Sequence, residues 1–198
     1  MSTASPALFD PPQAATRRRV RLFGMDIDAV RMPEAVAELL DWIDRDDGVC
    51  RYVVTPNVDH AVLFQEHVGL RQAYAEAGLV LADGAPVVLA SRLLGRPLPE
   101  RVAGSDLVPQ VFDAASASAD ARGRLKVYLL GGMPGVAERA AANIESKWPH
   151  VEVVGMASPP LGFERDREQN AELLAEIAAA QPDLLLVGLG APKQELWV

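Results

Sequence analysis

The chain has 198 residues, 49% of them apolar and 23% charged, and a formal net charge of −8. Such a length and apolar share suit one well-buried domain or a tight pair of half-domains. The acidic balance excludes broad, sequence-independent binding to nucleic acid, which depends on phosphate neutralisation. No apolar run reaches the roughly 18 residues of a membrane-spanning helix, and no segment of signal-peptide length precedes Arg17. The lone cysteine, Cys50, fits a reducing compartment and reads as a small buried hydrophobe at the head of an apolar run.

Residues 1–19 place Pro6, Pro11 and Pro12 among Ser, Thr and Ala and are predicted to form a disordered leader, with the folded domain spanning 20–198. Arg17, Arg18, Arg19 and Arg21 read as a solvated boundary between the two. "RLFGMDIDAV" alternates like a small N-terminal hairpin, in which Asp26 and Asp28 are expected to be solvent-facing edge carboxylates rather than metal ligands. After Pro33, the residues Val36, Leu39, Leu40 and Ile43 give one apolar helical face. "CRYVVTP" reads as a buried strand ended by Pro56, and Asn57 as the cap of a helix that turns Val58, Ala61 and Val62 inward. His60 belongs to the first turn of that helix. His60, His67 and His150 have no ligand-like spacing with one another or with Cys50.

The alternation continues to the end of the chain. "GLVLADG" is a strand stopped at Asp83-Gly84. Residues 86–94 and 107–115 are helical, with Ser105 as the cap of the second, and "KVYLLGG" is a strand. Residues 134–147 form a helix, "VEVVGM" a strand, 167–180 a helix and "DLLLVGLG" a strand. Uniformly apolar strands separated by helices predict an α/β fold, a Rossmann-like, mostly parallel sheet with helices on both faces.

In such sheets ligands bind beyond the carboxyl ends of the strands. The residues there are Thr55-Pro56-Asn57, Ala82-Asp83-Gly84, the turn from Gly131 to Gly135, and the stretch from Gly188 to Glu195. Gly131, Gly132 and Gly135 permit a tight turn that brings a helix N-terminus to a phosphate, and they serve equally as a purely structural turn. Their spacing is G-G-x-x-G and the next strand ends without a carboxylate, so the dinucleotide fingerprint of an oxidoreductase is not met. Asp83 is either ordinary Asp-Gly turn chemistry or a general base at the ligand edge. Arg96 and Arg101 follow closely enough to supply phosphate contacts. Lys193, Gln194 and Glu195 are expected to face the same cleft as Asp83.

The ordered set "TPNVDHAV", "LADGAPVVLASRLLGRPLPERVAGSDL", "VYLLGGMPGVAERAAANI" and "PDLLLVGLGAPKQELWV" resembles the WecG/TagA/CpsF glycosyltransferase family, glycosyltransferase family 26. The resemblance covers the chain from about Val20 to its end. It implies an inverting, metal-independent transfer of a sugar, N-acetylmannosamine or else glucose, from a UDP-sugar to a polyprenyl-diphosphate-linked sugar in cell-surface polysaccharide or teichoic-acid-type synthesis. No cofactor is implied, and no nucleic-acid partner. The enzyme would work in the cytoplasm, peripheral at the inner face of the bacterial cell membrane.

Carried across, the family's catalytic carboxylate falls on Asp83, and its substrate-binding Thr, Asn, Arg and Gln on Thr55, Asn57, Arg101 and Gln194. Arg101 would face the diphosphate together with the backbone at Gly131 and Gly132. Family members continue into a C-terminal segment that closes over the site and contacts the membrane, so the domain ending at Val198 is expected to lack it, and its uncovered apolar surface to favour homo-oligomers. The competing readings are a Rossmann-like NAD(P)-binding oxidoreductase and a non-catalytic nucleotide-sugar-binding protein.

Overall fold

A computed structural model describes residues 17–45, 47–118 and 123–198. Residues 1–16 of the expected leader lie outside the described residues. Arg17 is not the solvated residue expected. Its Nη1 lies 2.6 Å from the Glu38 carboxylate and its Nη2 donates to the Gly78 carbonyl at 2.7 Å. The reason is a buried acid beneath it, Asp28, whose charge needs cationic neighbours.

The hairpin forms as predicted. β1 (Arg19–Leu22) and β2 (Met25–Asp28) pair antiparallel around Phe23 and Gly24, both at positive φ. Alternation sends Val20, Leu22, Met25 and Ile27 into one core. Asp28 departs from expectation. It is 2% exposed, receives Arg19 Nε at 3.0 Å, and accepts the Val80 N–H at 2.9 Å. It ties the hairpin to a neighbouring strand instead of facing solvent, while Asp26 is exposed.

α1 (Met32–Arg45) buries Met32, Ala35, Val36 and Leu39 on one stripe. β3 (Val53–Val54) is shorter than predicted, and Cys50 lies exposed in the loop before it, not buried. α2 (Val58–Glu66) buries His60 and Phe64. Val58 and Val62, expected inward, are 49% and 68% exposed. The aromatic ring of Phe64, with His60 one turn before it, takes the inward face because it buries more area than a valine. His67 ends this helix and caps α3 (Val68–Glu76), a second short helix that the apolar pattern does not separate from the first.

β4 (Leu79–Val80) runs parallel to β3. α4 (Ala85–Leu93) and α5 (Gly104–Ala115) follow, the latter starting at Gly104 without a side-chain cap, so Ser105 lies inside the helix. β5 (Leu125–Gly131), α6 (Val136–Lys147), β6 (Val151–Ala157), α7 (Arg167–Ala180), β7 (Leu184–Gly188) and α8 (Lys193–Trp197) complete the order. The three strands form a parallel sheet in the order β6-β5-β7. The chain therefore leaves β5 to one side and returns to the other, which is a topological switch point at the carboxyl ends of β5 and β7. Central β5 is nearly all buried, whereas the flanking β6 and β7 are half-buried. Leu40 of α1 packs against two of the apolar clusters, one around Leu79 and Leu107 and one around Leu125 and Val151.

Candidate active site

The parallel pairing of β3 and β4 continues past their regular ends. Leu81 N–H donates to Val54 O at 2.9 Å and Asp83 N–H to Pro56 O at 2.9 Å. Thr55, Asn57 and Asp83 are thereby delivered side by side where the two strands stop. Val102 N–H then donates to Ala82 O at 2.8 Å, which lays Arg101 alongside Asp83. Arg101 Nη1 is 3.3 Å from Asp83 Oδ1, and its Nη2 binds the carboxylate of Asp106 in the first turn of α5. Both partners are partly exposed, so the pair is screened and exchangeable.

A cleft of about 670 Å³ opens at this edge, lined by Thr55, Asn57, Asp59, His60, Val62, Leu63, Asp83, Ala191 and Gln194. Its residues come from the ends of β3 and β4, from α2, and from the turn after β7 with the start of α8. Asp83 is thus a carboxylate at an open edge as well as a turn residue. Thr55 sits at the entry of α5, where a Cβ on Gly104 would lie 3.7 Å from its Oγ1. Asn57 caps α2, its Oδ1 accepting the N–H groups of Asp59 at 3.0 Å and His60 at 3.2 Å.

The last stretch divides three ways. Gln194 reaches the cleft, with Oε1 accepting the Gly190 N–H at 3.1 Å and Nε2 donating to Glu195 at 2.8 Å. Glu195 turns inward, is 3% exposed, and meets His60 Nε2 at 3.0 Å. Burial pushes its carboxyl up, but the hydrogen bonds from His60 and Gln194 outweigh this and hold it below the ordinary carboxylate value. Lys193 points toward Glu164 at 3.9 Å. Sequence reasoning left Glu195 without a role; the signal present was a histidine three residues after a capping asparagine, which says nothing of a partner 135 residues away.

The glycine turn lies elsewhere. Gly131 and Gly132 are not among the residues lining the cleft. Gly131 has φ 107°, and a Cβ there would lie 2.3 Å from Gly188 O; Gly132 N–H donates to that same oxygen at 3.1 Å. Gly135 caps α6 in the left-handed region. Arg96 is directed away, donating to Arg21 O at 3.1 Å. Among the described residues no group of three or more His, Cys, Asp or Glu side chains could hold a metal ion, and no helix is long and apolar enough to cross a membrane.

A family model described as the glycosyl transferase WecG/TagA/CpsF family matches residues 20–198. An N-acetylglucosaminyldiphosphoundecaprenol N-acetyl-beta-D-mannosaminyltransferase from Bacillus spizizenii (strain ATCC 23059 / NRRL B-14472 / W23) is 27% identical over 157 residues, covering 79% of this chain and 56% of the relative. A protein of the same description from Staphylococcus aureus (strain NCTC 8325 / PS 47) is 27% identical over 180 residues, covering 91% of this chain. The chain spans 56% to 66% of the length of these curated relatives.

Proposed function

The chain belongs to the WecG/TagA/CpsF glycosyl transferase family, and from that premise we propose that it transfers a sugar from a UDP-sugar to a sugar carried on a polyprenyl diphosphate. The observation that carries this reading is the single cleft that gathers Thr55, Asn57, Asp83 and Gln194, with Arg101 against Asp83. The relatives' names specify N-acetylmannosaminyl transfer to N-acetylglucosaminyldiphosphoundecaprenol, which supports N-acetylmannosamine as the donor sugar ahead of glucose.

The proposed step is one in-line displacement with inversion and no essential metal. The acceptor hydroxyl oxygen bonds to the donor's anomeric carbon as the bond from that carbon to the diphosphate oxygen breaks. UDP departs with the electron pair, and the hydroxyl proton passes to Asp83. General-base help of this kind is worth roughly 10²–10⁴ in rate. Arg101 would swing from Asp83 to the diphosphate, a forked cation suited to phosphate oxygens. The same exchange leaves the carboxylate free to accept a proton. Thr55, Asn57 and Gln194 orient the sugars by hydrogen bonds, and the Gly131 and Gly132 backbone, turned to Gly188 and outside the cleft, takes no part.

The acceptor places the work at a membrane surface, which we assign to the inner face with the protein peripheral to it. Exposed Leu89 and Leu93 beside Arg92 on one face of α4, which starts just after Asp83, support contact with a membrane surface. The deciding experiment is transfer of labelled N-acetylmannosamine from its UDP ester to a lipid-diphosphate N-acetylglucosamine, with UDP binding followed by calorimetry. Product formation that depends on Asp83 is expected. Absence of any UDP or UDP-sugar binding overturns the proposal, and binding without transfer or hydrolysis would make the protein a nucleotide-sugar binder.

A further inference from the structure

We infer that His60, buried against Glu195, is the positioning residue that fixes Asn57 and Gln194 relative to each other across the cleft. This deepens the proposed function by naming what holds two of its sugar-orienting residues in place.

The hydrogen-bond logic begins at Asn57. Its Oδ1 accepts two backbone N–H groups, those of Asp59 and His60, so the atom at that position is the oxygen and the amide cannot be flipped. His60 Nδ1 lies 2.9 Å from this oxygen. The Asn57 N–H also approaches Nδ1, at 3.4 Å, closing a capping box that holds the ring against Asn57. The other ring nitrogen faces Glu195 Oε1 at 3.0 Å. A carboxylate only accepts, so Nε2 bears a hydrogen and donates to Glu195.

The surroundings enclose the pair. His60 and Glu195 are 5% and 3% exposed, so the attraction between them is little screened. The charged or titratable neighbours are Asp59 on the same helix, Asp83 across the cleft, and Tyr74 of α3, whose ring centroid is 6.3 Å from that of His60. Burial first, and then the Glu195 charge, push the Tyr74 phenol well up, so it stays neutral. Glu195 Oε2 and the Tyr74 hydroxyl are both buried with no hydrogen-bond partner among the described residues. A carboxylate so incompletely satisfied is a poor stabilising device, and a buried apolar pair would hold the two elements together at less cost. Its position is better explained by what it aligns. One Glu195 oxygen receives both the imidazole and the Gln194 amide, while the far side of the imidazole holds Asn57. A single chain of hydrogen bonds therefore runs from the end of β3 to the first turn of α8.

The test uses the parent protein and Glu195→Gln, a neutral side chain of the same size. Nitrogen-detected NMR of the imidazole in the parent should show Nε2 bearing a hydrogen, and the Nε2 signal should move in the variant. The side-chain amide signals of both Gln194 and Asn57 should move, although Asn57 does not touch Glu195. Calorimetry should give UDP affinity unchanged within twofold, while the extra affinity of the UDP-sugar over UDP falls at least tenfold. An Nε2 without a hydrogen in the parent overturns the inference, as does a variant whose Asn57 amide stays still. If the variant fails to fold, Glu195→Asp, which keeps the carboxylate but shortens the arm, should keep the hydrogen on Nε2 and still shift Asn57. A parent that binds no UDP would sink the functional proposal, while the ring and Asn57 signals would still decide this one.

Discussion

Two pairs of parallel strands end in this molecule, and they end differently. At β3 and β4 the backbone pairing runs on to Pro56 and Asp83, and the side chains of Thr55, Asn57 and Asp83 then stand around open space. At β5 and β7 the ends close backbone against backbone, with Gly131 pressed on Gly188 and the Gly132 N–H given to the Gly188 carbonyl. Both regions carry the glycine and polar residues expected where a parallel sheet meets a ligand. The difference lies in where the hydrogen-bonding capacity goes, inward to the neighbouring strand or outward to solvent. β7 serves both regions, because the turn after its glycine end carries Gln194 and Glu195 across to the open one.

The largest effect should come from the closed end. Gly131→Ala puts a Cβ 2.3 Å from a backbone oxygen at a φ of 107° that L residues rarely adopt. Neither strand can yield cheaply, and a loss above about 3 kcal/mol is expected. Thermal unfolding by circular dichroism measures it; a melting point near the parent's would show that the end is not closed.

The open end should respond in activity and not in stability. Asp83→Asn is expected to lower transfer by roughly 10²–10⁴ with little change in melting point, and turnover equal to the parent's would remove Asp83 as the base. Arg101→Ala, by loss of a charge-assisted hydrogen bond, should weaken UDP binding roughly tenfold to a hundredfold; calorimetry giving identical affinity would discard its diphosphate role.

The link between the regions should show in acid. The folded Glu195 carboxyl sits below its ordinary value, so its contribution is complete above the ordinary carboxylate range and disappears as pH falls through the lowered folded value. The stability gap between the parent and Glu195→Gln should therefore shrink on acidification in urea titrations; a gap independent of pH would contradict the pairing. The smallest effect is Cys50→Ser in the exposed loop, expected to stay within about 0.5 kcal/mol, and a larger change would mean the loop packs on something.

Much of the fold was legible in the residues because periodicity reports local burial. The hairpin, α1, α7 and the strand Leu125–Gly131 all stand where alternation or helical spacing put them. The departures have two physical origins. Val62 and Cys50 differ by local competition, Phe64 taking the inward face of α2 and the strand starting only after Cys50, whereas Asp28 is decided through space by Val80 and by Arg19 across the hairpin. Arg17 belongs with Asp28, since Glu38 and Gly78 lie far along the chain.

By itself, the sequence determined the kinds of elements, their order and the short polar motifs that follow the strands, because backbone preference and amphipathic period act over a few residues. Only the tertiary structure decided which motifs share a cleft, which glycine end is sealed, and that a histidine after the first motif meets a glutamate in the last. Those outcomes rest on strand pairing and buried charge, which join residues through space and leave no mark in local pattern.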